Sequence, residues 1–190
     1  MTEEQVLQLV KEKMAHRPKI VAMFENCYQD TLEKTVHLHP EDGTAFMLTG
    51  DIPAMWLRDS TNQLRPYLLV ASENERVAGI IEGVMKKQFQ CILRDPYANA
   101  FNEEENGAGH QKDLTEMKAD IWERKYEIDS LCYPVQLAYL YWKNTGRTAQ
   151  FDGLFLQGGR AILELWKTEQ RHGEQSPYTF ERLDCVETDT

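Results

Sequence analysis

Apolar residues recur at helical spacing along most of this 190-residue chain. The clearest series follows a cap at Ser72 or Asn74 and ends before Asp95: Val77, Ile80, Ile81, Val84, Met85, Phe89 and Ile92. A stripe this wide can pack against two neighbours. Residues 130–145 are apolar on most sides, which predicts a buried helix entered near Pro134 and stopped by Gly146. The predicted fold class is therefore all-α, with inner and outer helices in layers.

Four further helices follow from the same periodicity. They cover approximately residues 2–15, 18–36, 57–72 and 149–172. Thr2 and Gln5 form a capping box at the first, Pro18 suits the first turn of the second, and Pro66 must kink or break the third. The sequence thus predicts about six helices in three antiparallel pairs.

Two segments between the helices have a different character. Residues 45–48 are a short apolar run between Asp-Gly and Thr-Gly turns, which predicts one brief strand. Residues 95–117 are rich in Asn, Gly and Glu and are too long for an ordinary connection, which is typical of a functional loop. After Gly173 the hydrophobic period is lost, and the chain ends at Thr190 without a closing element, as if it continued in a longer domain.

The net charge of the chain disfavours some classes of binding partner. Twenty-one Lys and Arg against 31 Asp and Glu give a net charge of −10, which repels phosphate backbones and anionic lipids. Neither a nucleic-acid nor a membrane partner is expected, and no targeting segment is visible, so we expect a cytoplasmic location. Four widely spaced cysteines, Cys27, Cys91, Cys132 and Cys185, favour buried free thiols over a zinc site or a disulfide framework.

The densest group of functional side chains lies between residues 49 and 65. Asp51 precedes a proline-containing turn, and Trp56, Arg58 and Asp59 follow in the first turn of a predicted helix. Asp accepts two sugar hydroxyls, Arg donates a planar fork, and Trp offers an apolar face to a pyranose. The pattern therefore indicates a polyol site. The alternative is an N-cap Asp with a surface Arg pair.

Two weaker clusters carry similar residue types. Tyr97, Asn99 and Asn102 lie on the long loop, where aromatic and amide groups suit sugar binding but are equally typical of a solvated turn. Asp129 lies at the entrance to the buried helix, where it could be a partly desolvated carboxylate or an N-cap.

His37 and His39 are two residues apart, which on an extended segment would place both imidazoles on one side, as metal ligands require. No third ligand has matching spacing. The preferred interpretation is therefore a pair of loop histidines before Pro40, with no metal site.

Three motifs resemble glycoside hydrolase family 125, the metal-independent exo-α-1,6-mannosidases. They are TGDIPAMWLRDSTNQ at 49–63, DPYANAFN at 95–102 and KYEIDSLCYPVQLAYLYWKNTG at 125–146. The resemblance implies an (α/α)6 toroid that removes terminal α-1,6-linked mannose with inversion and without metal or cofactor. Its partner would be a mannose-terminated oligosaccharide. Inversion requires two carboxyl groups about 6.5 to 9.5 Å apart.

The resemblance also implies that these residues are only part of the catalytic domain. Motifs of the RPSDD and HESF kind, expected to carry the acid and base, do not occur, so no catalytic residue is assigned. Residues 1–190 are interpreted as the amino-terminal half of one toroid. The missing half, or self-association, should then cover its open apolar flank.

By the same resemblance, eight residues are expected at or near the terminal-mannose subsite: Asp51, Trp56, Arg58, Asp59, Tyr97, Asn99, Asn102 and Asp129. A non-catalytic helical module that binds carbohydrate or peptide is the alternative function.

Overall fold

The computed structural model describes residues 1–183. Its α-helices are α1 (Glu3–Lys13), α2 (Pro18–Lys34), α3 (Leu57–Leu64), α4 (Glu75–Arg94), α5 (Ile128–Thr145), α6 (Gly153–Glu169) and α7 (His172–Gln175). The strands are β1 (Val36–His39), β2 (Thr44–Met47), β3 (Met55–Trp56), β4 (Ala100–Phe101) and β5 (Ile121–Glu123). Within these residues, no helix is both long and apolar enough to cross a bilayer.

Helix starts and stops follow the local chemistry. The capping box of Thr2 and Gln5 is present at α1, and Pro18 opens α2. The side chain of Asn74 accepts from the Val77 N–H at the start of α4. Gly146 closes α5 in the left-handed region at φ 72°, where a side chain would be strained. These signals are local, and the predictions based on them are confirmed.

The all-α prediction is only approximately right, because two small antiparallel sheets accompany the helices. β1 pairs with β2, with Val36 opposite Met47, and β3, β4 and β5 form a second sheet in that order. The single predicted strand corresponds to β2. The histidines expected in a loop lie instead on β1. β4 lies within the long loop predicted over residues 95–117, and β5 follows that loop. β3, β4 and β5 have only two or three residues, which is too few to show an alternating pattern.

Helix boundaries also depart from the prediction. Pro66 ends α3 at Leu64, and a 3-10 helix (Arg65–Leu69) follows, so the helix predicted to about residue 72 is two shorter elements. α5 begins at Ile128, six residues before Pro134, so Pro134 lies inside the helix, where its missing N–H removes one intrahelical hydrogen bond. α6 is shorter at both ends than predicted.

The core lies on both sides of α4. Towards its amino terminus, α4 packs with β2, the 3-10 helix and α5, and towards its carboxyl terminus it packs with α6 and the β4–β5 region. The prediction of four buried thiols is only partly right. Cys91 is buried in this core, whereas Cys27 and Cys132 are exposed, and Cys185 lies outside the described residues. A half toroid stays a prediction.

Candidate functional site

A groove of about 530 Å³ opens where β3 meets α3. Trp56 is the half-buried N-cap residue of α3, and Asp59 lies in the first helical turn. The groove is lined by Thr49, Gly50, Ile52, Trp56, Asp59, Asn62 and Gln63. It therefore combines a carboxylate, two amides and an indole, a donor and acceptor set that suits a polyol.

The rim of the groove is a hydrogen-bonded turn. The Thr49 hydroxyl donates to the Ala54 carbonyl at 2.9 Å and accepts from the Trp56 N–H at 3.2 Å. Gly50 takes φ 70°, which the tight return of the chain requires. Asp51 lies at the exposed tip and makes no hydrogen bond or ion pair within residues 1–183. Its carboxylate is thus accessible to a ligand at the rim.

Arg58 points from α3 to the first turn of α5. Its Nη1 donates to Asp129 Oδ2 at 3.1 Å and lies 3.6 Å from Glu127 Oε2, while its Nε is 3.7 Å from Asp59 Oδ1. The hydrogen bond to Asp129 raises the pKa of Arg58 above its ordinary value. Three carboxylates surround one half-buried guanidinium, so the structure brings together Arg58, Asp59 and Asp129.

The small sheet β3–β4–β5 supports the start of α3, next to the groove. Trp56 pairs with Ala100, and the Leu57 N–H donates to the Asn99 carbonyl at 3.1 Å. Asn99 is 1% exposed, its Nδ2 donates to Glu123 at 2.5 Å, and its Oδ1 accepts from the Lys125 N–H at 3.2 Å. All its polar groups are used internally, so Asn99 supports the wall of the groove and does not face it.

A buried glutamine on α4 fixes the start of α3. Gln88 is fully buried, and its Nε2 donates to the Leu57 carbonyl at 3.2 Å and to the hydroxyls of Ser60 and Thr61 at 2.9 Å each. These bonds reach both turns of α3, the first of which carries Arg58 and Asp59. The orientation of the candidate site therefore depends on a side chain 25 or more positions away in sequence.

Tyr97 and Asn102 lie in other contacts. The Tyr97 hydroxyl donates to Glu169 on α6 at 2.8 Å, and its ring stacks on Tyr178 with centroids 4.7 Å apart. Burial raises the pKa of Tyr97 to about 12. The Asn102 Nδ2 donates to the carbonyls of Ala108 and Ala119. Neither residue lines the groove, and of the eight predicted residues only Trp56 and Asp59 do.

Sequence reasoning missed four residues of this region. Asn62 and Gln63 line the groove, Glu127 faces Arg58, and the Trp122 ring lies 6.3 Å from that of Trp56. Gln63 donates to the Leu48 carbonyl at 3.3 Å, and its buried Oε1 has no hydrogen-bond partner among the described residues. Asn62, Gln63 and Glu127 lie inside the quoted motifs. Helical spacing from Asp59 was the available signal for Asn62 and Gln63, and proximity to Asp129 in sequence was the signal for Glu127.

The two histidines of β1 share one carboxylate. His37 Nδ1 and His39 Nε2 each lie 2.8 Å from a different oxygen of Glu103. Burial opposes ionisation of Glu103, but these two hydrogen bonds hold its pKa below the ordinary value. These two hydrogen bonds therefore connect the β1–β2 hairpin to the loop after β4.

One group could in principle bind a cation. Within residues 1–183, His39, Glu41 and Asp42 are the three side chains whose donor atoms all lie within 4.8 Å of one another. His39 is bonded to Glu103, and Asp42 accepts from the N–H and hydroxyl of Thr44. Two of the three side chains, His39 and Asp42, are thus engaged with protein partners, and we still expect no metal there.

Comparison with known proteins places this chain in a family. The model of family 125, described as metal-independent α-mannosidases, matches residues 17–190. The chain belongs to glycoside hydrolase family 125. The family inferred from the three motifs is thereby confirmed.

Two relatives show how much of a family 125 protein the chain represents. A metal-independent α-mannosidase of Streptococcus pneumoniae, solved in a non-productive complex with α-1,6-mannobiose, is 54% identical with a TM-score of 0.90. The match covers 96% of this chain and 43% of that one. The meiotically up-regulated gene 157 protein of Schizosaccharomyces pombe is 33% identical, over 94% of this chain and 36% of that protein. The chain thus spans less than half the length of either relative.

Proposed function

We propose that this chain forms one wall of the terminal-mannose site of an inverting exo-α-1,6-mannosidase. The observation that carries the proposal is the groove beside Arg58, in which an indole, a carboxylate and two amides surround a space of about 530 Å³. Sugars are bound by this combination of planar apolar and hydrogen-bonding groups. Membership of family 125 and a neighbour solved with α-1,6-mannobiose support the substrate class.

In this proposal the groove residues have distinct roles. Trp56 packs on the C–H face of the mannose ring, and Asp59 accepts hydrogen bonds from its hydroxyls. Arg58 holds Asp59 and Asp129 in place by its hydrogen bond and charge. Asp51 contacts the sugar from the exposed rim. Asn99 acts only by supporting the backbone at Leu57.

No residue of this chain is proposed as acid or base. Asp59, Glu127 and Asp129 surround one guanidinium at 3.1 to 3.7 Å. An inverting pair must instead face opposite sides of the scissile bond, about 6.5 to 9.5 Å apart, with one carboxyl holding a proton. We propose that this pair lies in polypeptide outside these 190 residues.

Titration with α-1,6-mannobiose tests the proposal. The Trp56 indole N–H should shift in NMR spectra, with an affinity near 1 mM, about −4 kcal/mol, because only one wall contributes. Asp59→Asn should weaken binding, whereas Asp30→Asn, on the exposed face of α2 beside Lys34, should leave it unchanged. α-1,6-Glucobiose is the stereochemical control.

Two results would contradict the proposal. Shifts confined to residues outside the groove would remove the assignment of the sugar site. Release of mannose by this chain alone, lost in Asp59→Asn, would show that the catalytic group lies within it.

A further inference from the structure

The segment that follows α7 folds back over the loop that precedes α5. We call it the return segment, residues 176–183. Its backbone bonds to that loop where the Leu114 N–H donates to the Glu181 carbonyl at 2.8 Å. At its start, the Ser176 hydroxyl donates to Glu169 at the end of α6. The return segment is therefore attached both to α6 and to the loop between β4 and β5.

Arg182 of the return segment joins two buried carboxylates. Its Nε and Nη2 donate to the two oxygens of Asp113 at 3.2 and 2.9 Å, and Nη2 also donates to Glu123 Oε1. Asp113 is 6% and Glu123 7% exposed. Burial opposes ionisation of Glu123, but hydrogen bonds from Arg182 and Asn99 hold its pKa below the ordinary value. The imidazole of His110 lies 3.8 Å from Glu123, beyond hydrogen-bond distance, so it replaces little of the bond from Arg182.

Glu123 connects Arg182 to the backbone beside the groove. Its Oε2 accepts from Asn99 Nδ2 at 2.5 Å, and the Asn99 carbonyl accepts from the Leu57 N–H at 3.1 Å. Leu57 is the first residue of α3 and follows Trp56, which lines the groove. A series of hydrogen bonds, continued through Asn99, thus runs from the return segment to the start of α3.

A second contact of the return segment lies just beyond Glu123. The Tyr178 hydroxyl accepts from the Tyr126 N–H at 2.9 Å and donates to the Arg124 carbonyl at 3.1 Å. The connection from β5 to α5 is therefore held at both ends by the return segment. This connection leads directly to the carboxylates of α5 and its N-cap that surround Arg58.

We propose that Arg182 is a positioning residue of the candidate sugar site, acting through Glu123 and Asn99 on the backbone that carries Trp56. Arg182 itself does not line the groove. Without it, the charge of Glu123 is poorly compensated, which favours protonation of the carboxyl group or its movement towards water. Either change alters the bond to Asn99. The inference deepens the proposed function, on which it rests for the identity of the ligand.

Amide hydrogen exchange tests the positioning role without any sugar. The Leu57 N–H lies in the first turn of α3, where it has no intrahelical acceptor, so its protection reports the bond to Asn99. Arg182→Ala should reduce this protection. The Val77 N–H, bonded to Asn74 Oδ1 in the first turn of α4, is the matched amide and should keep its protection. A general loss of stability would lower the protection of both amides.

Titration with α-1,6-mannobiose, followed at the Trp56 indole N–H, measures the effect on binding. Arg182→Ala should weaken binding roughly three- to tenfold. Arg182→Lys should restore part of the loss, because lysine keeps the charge but lacks the planar fork. Arg182→Ala combined with Glu123→Gln should bind no more weakly than the weaker single variant, since both residues act along one series of bonds. Arg147→Ala removes an arginine paired with two carboxylates of α4, beyond the far end of α5, and should leave the affinity unchanged.

Several outcomes would overturn the inference. They are unchanged protection of Leu57 in Arg182→Ala, equal loss of protection at Leu57 and Val77, undiminished mannobiose affinity, and additive losses of affinity in the double variant. Thermal melts establish that each variant is folded, and if Arg182→Ala does not fold, the same measurements on Arg182→Lys decide. Failure of the unsubstituted chain to bind mannobiose would contradict the proposed function alone, because selective loss of protection at Leu57 would still support the positioning role.

Discussion

Substitution of Gly158 by alanine would place a methyl group against the ring of Phe89. A Cβ at this position lies 2.5 Å from Phe89 Cδ1 and 3.3 Å from Cε1. Phe89 is 2% exposed and is held edge-to-face by Phe155, so its ring cannot move freely. Gly158 therefore permits the close approach of α6 to α4.

The next residue offers a matched control. A Cβ on Gly159 meets no atom within 4 Å, although it lies in the same helix. Both substitutions gain up to about 1 kcal/mol from the higher helix propensity of alanine. Only Gly158→Ala also carries a steric cost, about 1 to 3 kcal/mol, because its methyl group overpacks the contact with Phe89. We expect Gly159→Ala to stabilise the chain by about 0.5 to 1 kcal/mol, and Gly158→Ala to be less stable than Gly159→Ala by about 1 to 3 kcal/mol.

Urea unfolding followed by far-ultraviolet circular dichroism measures both changes. The difference between the two variants isolates the steric cost, because the propensity gain is common to them. Equal midpoints, or a stabilised Gly158→Ala variant, would refute the reasoning and show that the Phe89 ring has room to move.

Three further outcomes can be measured. Gln88→Leu removes the donor to three oxygens of α3 and should lower the free energy of unfolding by about 1 to 3 kcal/mol in urea titrations. Mannobiose binding, measured by NMR titration, should also become weaker. An unchanged urea midpoint would contradict this prediction. Glu103→Gln should lower the free energy of unfolding at neutral pH. Because the pKa of Glu103 is lowered on folding, the difference in unfolding free energy between this variant and the unsubstituted chain should shrink as pH falls below about 4.3. It should vanish below the pKa of Glu103 in the folded chain. A difference that persists in acid would exclude the ionised carboxylate as its source. Burial raises the pKa of Cys91 to about 12, so a thiol reagent should modify Cys27 and Cys132 in the native chain and reach Cys91 only on unfolding; rapid native labelling of Cys91 would disprove its burial.

Sequence alone determined the features that depend on local chemistry. The capping box at Thr2, the starts of α2 and α4 at Pro18 and Asn74, and the stop at Gly146 follow from side chains that bond or constrain their own backbone. The family followed from the three motifs, and the grouping of Asp59 with Arg58 followed from adjacency in one helical turn.

Only the tertiary structure decided the relationships between distant segments. Glu103 meets His37 and His39 from 66 and 64 positions away, Asp129 meets Arg58 from 71, and Gln88 reaches under α3 from α4. Strands of two residues such as β3 and β4 exist only because their partners hydrogen-bond to them. The exposure of Ile128, Tyr139 and Trp142 on one side of α5 is of the same kind. Apolar periodicity states that a face of α5 can be buried, whereas the packing of the neighbouring elements decides which face is, because burial is a property of what surrounds a residue and not of the residue itself.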